Sequence, residues 1–273
     1  MVETHALTTG YADVHGARLY YEEMGAGQPL VLIHAGIADC RMWDEQFAAF
    51  AERYRVVRYD IRGFGKSAMP PGPSSTYRDL HGLLQYLNIG RAALIGLSIG
   101  GGIAIDFALQ HPEMTGALVL AASGLGGSTD SPEMAAQYAE VNAVLAREGV
   151  PAAVERESRL WVDGPRRTPD QVDASVRERV RVMNTAIFLQ PEEVGTRERL
   201  DPPAITRLGE MTALTLVVVG DGDVPDVIAT ADLLASRIAG ARQVILPGVA
   251  HMLTMERPDE FNRHVLDFLA ERY

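Results

Sequence analysis

The strongest constraint on the fold is a repeated alternation of apolar, β-rich runs with helical patterns. The β-rich runs are PLVLIHAG, YRVVRYDIRG, RAALIGLS, GALVLAAS, TALTLVVVGDGD and ARQVILPGVAH. Between them lie the helical patterns MWDEQFAAFAERY, TYRDLHGLLQYL, GGIAIDFALQHP, VIATADLLASRIAG and PDEFNRHVLDFLAERY. Strands that are apolar throughout are buried on both faces of a sheet. The pattern therefore predicts an α/β fold with a mostly parallel central sheet flanked by helices.

The amino-terminal segment has a different pattern. GARLYYEEMG alternates polar and apolar residues, as a half-buried strand does. Together with the preceding segment, which joins it near VHGA, it predicts an antiparallel hairpin at one edge of the sheet.

Residues 125–205 interrupt the alternation and read as helices. A structureless loop of this length is far beyond the roughly 12–15 residues that are usual in a compact domain. Ser131 and Pro132 predict the start of one helix, and Gly149 predicts its end. Thr168 to Gln171 form a capping-box pattern before another long helix. We therefore expect an α/β core in residues 1–124 and 206–273, with a helical cap in residues 125–205.

Composition narrows the classes of function. The chain has 273 residues, 47% of them hydrophobic, and a net charge of −11, which argues against nucleic acid as a partner. Cys40 is the only cysteine, so an internal disulfide is excluded. There is no secretory signal pattern, and no apolar run reaches the about 18 residues that span a bilayer. These features predict a soluble, cytoplasmic protein without a membrane partner.

The segment GLSIG places Ser98 between Gly96 and Gly100, where a predicted strand meets a predicted helix. A nucleophile on such a turn has a strained backbone, and the flanking glycines let the helix approach the strand closely. The alternative is an ordinary loop serine, because the motif alone is weak in a chain with 26 glycines. The strand and helix on either side favour the nucleophile.

A serine nucleophile needs a general base held by a carboxylate, and these partners meet in space rather than in sequence. His251 follows the last predicted strand, at the edge where open parallel sheets place their sites. The acid is expected after the preceding strand, which offers Asp221, Asp223 and Asp226. Asp226 is also explained as a helix N-cap and Asp221 as a turn residue. Asp223 is the preferred acid, with Asp221 second.

A tetrahedral intermediate needs backbone N–H donors aimed at its oxygen. The amide of Ile99, directly after the serine, is the first predicted donor. The second is the Gly36 amide, because HAGIAD offers small residues after a strand. His34 in the same loop is interpreted as a loop-shaping residue rather than a base. Apolar residues near these motifs predict a hydrophobic substrate pocket, formed by Ile37, Leu125, Trp161, Met252 and Leu253.

Motifs for other chemistries are incomplete. GFGKS is similar to the end of a phosphate-binding loop, but Asp60 occupies the position of the required first glycine. Neither GGG nor GLGG completes a dinucleotide-binding pattern, and no His, Asp or Glu spacing indicates a metal site. We therefore expect no cofactor and no metal, and interpret DIRGFGKS as a structural turn near the site.

The order Ser98, Asp223, His251, with GLSIG, HAGIAD and YDIRGFGKS, resembles the α/β-hydrolase superfamily over nearly the whole chain. Within it, the chain is similar to the compact bacterial branch of esterases, lactonases and haloperoxidase-like hydrolases, which includes 3-oxoadipate enol-lactonases. The resemblance implies an α/β-hydrolase fold with an inserted helical cap. In that family the acid typically stands three residues after a glycine, which implies Asp223 after Gly220.

The combined pattern predicts a serine hydrolase, a carboxylesterase, that cleaves a small-molecule carboxylic ester or lactone through an acyl-enzyme intermediate. Alternatives with the same triad are a lactonase acting on an enol-lactone or acyl-homoserine lactone, a perhydrolase and a C–C bond hydrolase. An alternative of another class is a ligand-binding receptor with residual hydrolysis. A receptor stalls after one cycle, whereas an enzyme sustains product release.

Overall fold

The computed structural model describes residues 6–190 and 197–273, which form a sheet of eight strands in the order β1-β2-β4-β3-β5-β6-β7-β8. The strands are β1 (Thr8–Val14), β2 (Ala17–Met24), β3 (Pro29–Ile33), β4 (Arg55–Tyr59), β5 (Ala92–Leu97), β6 (Thr115–Ala121), β7 (Leu214–Gly220) and β8 (Arg242–Leu246). From β4 to β8 all neighbouring strands are parallel, whereas β2 is antiparallel to both β1 and β4. This confirms the predicted mostly parallel sheet.

The edge hairpin is also confirmed. β1 and β2 pair antiparallel and are joined by the two residues His15 and Gly16, which both have positive φ. Two-residue hairpin turns of this handedness match the right-handed twist of the strands. The VHGA segment therefore turns the chain in the way the sequence predicts.

Helices cover both faces of the sheet. They are α1 (Asp44–Ala51), α2 (Thr76–Tyr86), α3 (Ile99–Gln110), α4 (Pro132–Glu148), α5 (Val150–Glu157), α6 (Ala174–Phe188), α7 (Pro225–Arg237), α8 (Leu253–Glu256) and α9 (Pro258–Arg272). Apolar residues of α1 and α9 pack on one face, and those of α2, α3 and α7 pack on the other.

Alternate residues of each central strand enter opposite cores, which explains why these strands are apolar throughout. In β3, Leu30 and Leu32 belong to one buried cluster, and Val31 and Ile33 belong to the other. All four are fully buried. Full burial of an aliphatic side chain of this size stabilises the fold by about 1.5–3 kcal/mol. The two cores hold the strands in position, and the strands position the loops at the carboxyl edge of the sheet.

The segment between β6 and β7 is mainly helical, as predicted. Ser131 caps α4 by accepting a hydrogen bond from the Met134 N–H at 3.1 Å, and Gly149 ends this helix with positive φ. The later helix starts differently from the prediction. The capping box at Thr168 encloses only a single 3₁₀ turn, and α6 begins at Ala174 with Asp173 as its cap.

The extent of the cap stays a prediction. Residues 191–196, inside the predicted range 125–205, lie outside the described residues, as do residues 1–5 of the predicted core. Toward the end of the range, Leu200 and Ala204 pack into the same buried cluster as α3. In the described part of the chain, no helix combines the length and apolar character needed to cross a membrane.

One buried carboxyl group on α3 makes the stability of this fold depend on pH. Oδ1 of Asp106 is buried and has no hydrogen-bond donor among the described residues. Burial raises the pKa of Asp106 from its usual 3.8 to about 6, against the opposing attraction of Arg207. Because the folded-state pKa lies above the unfolded one, folding favours the protonated form. The resulting loss of folding free energy is absent below about pH 3.8 and fully present above about pH 6.

We therefore predict that Asp106→Asn stabilises the protein at pH 8 by about 1–3 kcal/mol, an advantage that vanishes near pH 4. Urea unfolding of both proteins at the two pH values measures this difference. An equal difference in free energy of unfolding at pH 4 and pH 8 would contradict the prediction.

Candidate active site

Ser98 lies on a sharp turn between β5 and α3. Its backbone has φ 57° and ψ −118°, a combination that is strained for any residue with a Cβ. The turn is held by the Ser98 carbonyl, which accepts hydrogen bonds from the N–H groups of Gly101 and Gly124 at 3.0 and 2.8 Å. A Cβ on Gly96 would lie 2.3 Å from the Gly100 carbonyl oxygen, and one on Gly100 would lie 2.2 Å from that of Ile33. The GLSIG glycines are therefore required by close packing.

His251 and Asp223 form a buried pair after the last two strands. Nδ1 of His251 lies 2.9 Å from Oδ2 of Asp223, and both side chains are almost completely inaccessible to solvent. The other carboxylate oxygen of Asp223 accepts the N–H of Val224 at 2.8 Å. This second bond orients the carboxylate, so the imidazole is held through Nδ1 and presents Nε2 as its free nitrogen.

The other two candidate acids have structural roles. Oδ1 of Asp221 accepts the N–H of Gly248 at 2.7 Å, which ties the loop after β7 to the loop after β8. Asp226 accepts the N–H of Ser131 at 2.8 Å and thereby joins α7 to the start of α4. The predicted N-cap role of Asp226 is wrong, because Val224 is the N-cap of α7 and Asp226 lies in its first turn.

An ion pair between the cap and the core supports the loop that carries the imidazole. Both terminal nitrogens of Arg167 bind the carboxylate of Glu256, at 2.6 and 3.0 Å, and Arg167 also donates to the Gly248 carbonyl at 3.0 Å. The same carboxylate accepts the N–H of Ala250 at 3.1 Å. Bidentate arginine–carboxylate contacts of this kind are geometrically specific. They hold the residue before His251 in place.

A cavity of about 210 Å³ brings the predicted site residues together. Its wall contains Ala35, Gly36, Ile37, Ser98, Ile99, Tyr138, Glu157, Trp161 and His251. A larger cavity of about 510 Å³ shares the serine and the histidine and also contacts Leu125. The candidate nucleophile, base and amide donors therefore line the smaller cavity, together with Ile37 and Trp161. Leu125 lines the larger one, and Asp223 contacts the imidazole from the protein interior.

The two residues with the candidate amide donors line this space from different elements. Ile99 is the first residue of α3, where backbone N–H groups have no partner within the helix and carry the positive end of the helix dipole. Gly36 lies in a turn closed by the Ala38 N–H, which donates to the Ala35 carbonyl at 3.2 Å. A Cβ on Gly36 would lie 3.6 Å from the Ile99 side chain, so the two residues are neighbours.

His34 shapes the loop that contains Gly36. Its ring is fully buried, and burial lowers its pKa. The N–H of Ile61 points at Nε2 across 2.9 Å, so this nitrogen must accept. Nδ1 therefore carries the proton and donates to the Ala35 carbonyl at 2.8 Å. With both nitrogens occupied, His34 joins the turn after β3 to the segment after β4.

Two of the pocket candidates lie elsewhere. Met252 and Leu253 are fully buried in the apolar core, and neither is among the described residues that line the two cavities. They anchor the chain immediately after His251 instead of contacting the space near Ser98. Trp161 does line both cavities, and its ring centre lies 4.6 Å from that of His251.

Sequence reasoning missed two cap residues on the cavity wall, Tyr138 of α4 and Glu157 of α5. Neither belongs to a motif, and their position depends on how the cap helices pack over the core. The π-helical turn Ser158–Asp163, which continues α5 and carries Trp161, is a local signal in the structure, because such turns are frequent at functional sites.

One group of potential metal ligands has another explanation. Ligand atoms of Asp39, Cys40 and Asp60 lie within 4.8 Å of one another. However, the two oxygens of Asp60 accept the N–H groups of Cys40 and Lys66 at 2.8 and 2.7 Å. Asp39 is paired with Arg41 at 2.6 Å. These contacts organise the turn of the DIRGFGKS segment and use the oxygens that a metal would need.

Proteins of known sequence and structure resemble this chain over most of its length. Residues 30–264 match the profile of a family described as the alpha/beta hydrolase family. The 2-hydroxy-6-oxo-6-phenylhexa-2,4-dienoate hydrolase of Comamonas testosteroni is 27% identical, over 95% of this chain and 94% of the relative. The enol-lactonase of Burkholderia xenovorans LB400 superposes with a TM-score of 0.78 at 27% identity, over 96% and 100% of the two chains. A hydrolase from Pseudomonas aeruginosa PA01 superposes with a TM-score of 0.77 at 30% identity, over 96% and 98%.

The strain at Ser98 has a measurable consequence. We predict that Ser98→Gly is more stable than Ser98→Ala by about 1 kcal/mol, because glycine adopts this backbone conformation freely, whereas alanine keeps the strained Cβ. Both variants lack the hydroxyl group, so the comparison isolates the backbone. Chemical denaturation measures the two free energies of unfolding. An alanine variant as stable as the glycine variant would show that the turn is unstrained.

Proposed function

Because the chain belongs to the α/β-hydrolase family, we propose that it is a serine hydrolase that cleaves a carboxylic ester or lactone through an acyl-enzyme intermediate. The observation that carries this proposal is the buried contact of His251 with Asp223, beside a cavity that Ser98 lines on a strained turn. This arrangement costs free energy of folding, because it combines a buried carboxylate with backbone strain. A catalytic role accounts for that cost.

The first step is activation of the serine. Asp223 accepts a hydrogen bond from the Nδ1–H of His251, which fixes the imidazole tautomer and leaves Nε2 as the base. Nε2 removes the proton of Ser98 Oγ as this oxygen attacks the carbonyl carbon of the substrate. The carboxylate stabilises the imidazolium that forms and does not itself take the proton.

Charge on the carbonyl oxygen is stabilised by the backbone. The N–H groups of Ile99 and Gly36 donate to the developing oxyanion, and their fixed orientation requires no rearrangement during the reaction. His251 then protonates the leaving alcohol, which departs and leaves the acyl group on Ser98. The imidazole next takes a proton from water, whose oxygen attacks the acyl carbon. The imidazolium returns this proton to Ser98 Oγ as the acyl–oxygen bond breaks, which releases the acid and restores the serine.

A second candidate function uses the same residues to cleave a carbon–carbon bond. The Comamonas testosteroni relative is named as a dienoate hydrolase, and 2-hydroxy-6-oxo-dienoates are cleaved at a carbon–carbon bond. The Burkholderia xenovorans structure is an enol-lactonase, which supports an ester-type substrate. Sustained turnover of esters separates both enzymes from a receptor with residual hydrolysis, which releases one product equivalent.

We predict that the wild-type protein hydrolyses p-nitrophenyl esters or lactones over many cycles, and that Ser98→Ala lowers kcat by at least about a thousandfold. The matched control is Ser236→Ala, which removes an exposed hydroxyl on α7 bonded to the Leu233 carbonyl. Release of p-nitrophenol and lactone opening measure the rates. Equal rates in wild type and Ser98→Ala would remove the serine mechanism.

A further inference from the structure

Acidic side chains border the space beside Ser98. The charged side chains on the walls of the two cavities are Asp130, Glu157 and Asp226, and no lysine or arginine is among the described residues that line them. A carboxylate-bearing substrate, such as the dienoate in the name of the Comamonas testosteroni relative, would meet repulsion here. The walls therefore suit a different class of substrate.

Tyr138 is an aromatic residue on the wall of this region. It lines both cavities, and its ring centre is 6.3 Å from that of Trp161. Burial raises the pKa of its hydroxyl, and the carboxylates of Asp130, Glu157 and Asp226 raise it further. All three acids thus act on the same point. Aromatic faces next to carboxylates are the surroundings that bind alkylammonium groups, through cation–π attraction and charge pairing.

Glu157 lines the smaller cavity together with the serine and the imidazole. Its Oε2 accepts a hydrogen bond from the Asn184 side chain at 2.6 Å, and Oε1 has no donor among the described residues. Burial raises the pKa of this carboxyl group, against the effect of that hydrogen bond. A cation bound in the cavity would attract this carboxylate and favour its ionised form.

Positive groups line adjoining cavities rather than the two next to Ser98. Arg197 and Arg199 border one of about 470 Å³, which shares Ile99, Gly124 and Leu125 with the larger of the two. Arg156 and Arg159 border an adjoining cavity of about 770 Å³ between the cap and the core. Arg156 donates to the Gln137 side chain, and Arg159 is paired with the fully buried carboxylate of Asp163 at 2.5 Å. Neither arginine is among the residues lining the two cavities next to Ser98.

We propose that the substrate carries a protonated amine or quaternary ammonium group, which binds between Glu157 and the rings of Tyr138 and Trp161 while its carbonyl lies at Ser98. This inference rests on the proposed serine hydrolase function, and it names the substrate class. Glu157 acts as a specificity-determining residue, because its charge separates cationic from neutral and anionic substrates of the same shape.

The test uses ligands that share a shape and differ in charge. Choline, 3,3-dimethylbutan-1-ol and 3,3-dimethylbutanoate are titrated into Ser98→Ala with Trp43 replaced by Phe, so that the fluorescence followed comes from Trp161 alone. Because this variant needs no turnover, the binding result is independent of the hydrolysis result. We expect choline to bind at least about tenfold more tightly than the neutral alcohol, and the anion to bind most weakly.

Glu157→Gln in the same background isolates the charge, since glutamine keeps an acceptor for Asn184. We expect this change to reduce the choline preference to about threefold or less. The control is Glu140→Gln, which removes the same charge from an exposed position on α4 outside both cavities and should keep the full preference. Equal binding of choline and the alcohol, absence of choline binding, tightest binding of the anion, or a preference that survives Glu157→Gln would overturn the proposal.

Turnover gives the second readout. In the enzyme with Ser98 intact, acetylthiocholine should have a kcat/KM at least about tenfold above that of S-(3,3-dimethylbutyl) thioacetate. A faster neutral thioester would overturn the charge preference and leave the hydrolase function standing. Loss of all ester turnover together with retained choline binding would overturn the function and leave the binding preference.

Discussion

The structure depends on the buried contact between His251 and Asp223. An imidazole and a carboxylate removed from water are stable only when each satisfies the other, and the 2.9 Å contact does so. Their two loops are joined by backbone bonds, since the N–H groups of Asp221 and Gly222 donate to the Leu246 and Val249 carbonyls at 3.1 and 2.9 Å. The carboxyl edge of the sheet therefore holds this imidazole–carboxylate pair next to the cavity that Ser98 lines.

The cap completes this arrangement by closing the space over the serine. Trp161 packs against the imidazole, and Arg167 holds the loop before it through Glu256. The same cap supplies Glu157, so one segment both contacts the imidazole and places a carboxyl group on the cavity wall. In the proposed mechanism, the sheet loops therefore provide the reacting groups and the cap provides the groups that select the substrate.

Local patterns were sufficient for the elements that they encode directly. Apolar runs predicted the parallel strands, and the strand–GLSIG–helix order predicted the turn at Ser98, because both depend on neighbouring residues. Tertiary packing decided the rest. Asp226 has the sequence features of a cap, but Val224 takes that place, and Met252 and Leu253 lie in the core although they adjoin His251. No sequence pattern indicated that Glu157 lies at the site, because only the packing of the cap helices brings it near the serine.

The most direct measurement of the central claim is the position of a covalent label. Incubation with a fluorophosphonate, followed by proteolysis and peptide mass spectrometry, identifies the nucleophile itself. A base prearranged beside Ser98 predicts a single phosphonyl adduct on Ser98 Oγ. An adduct on any other residue, or an active enzyme that remains unlabelled, would contradict the convergence of Ser98, His251 and Asp223 on one reaction centre.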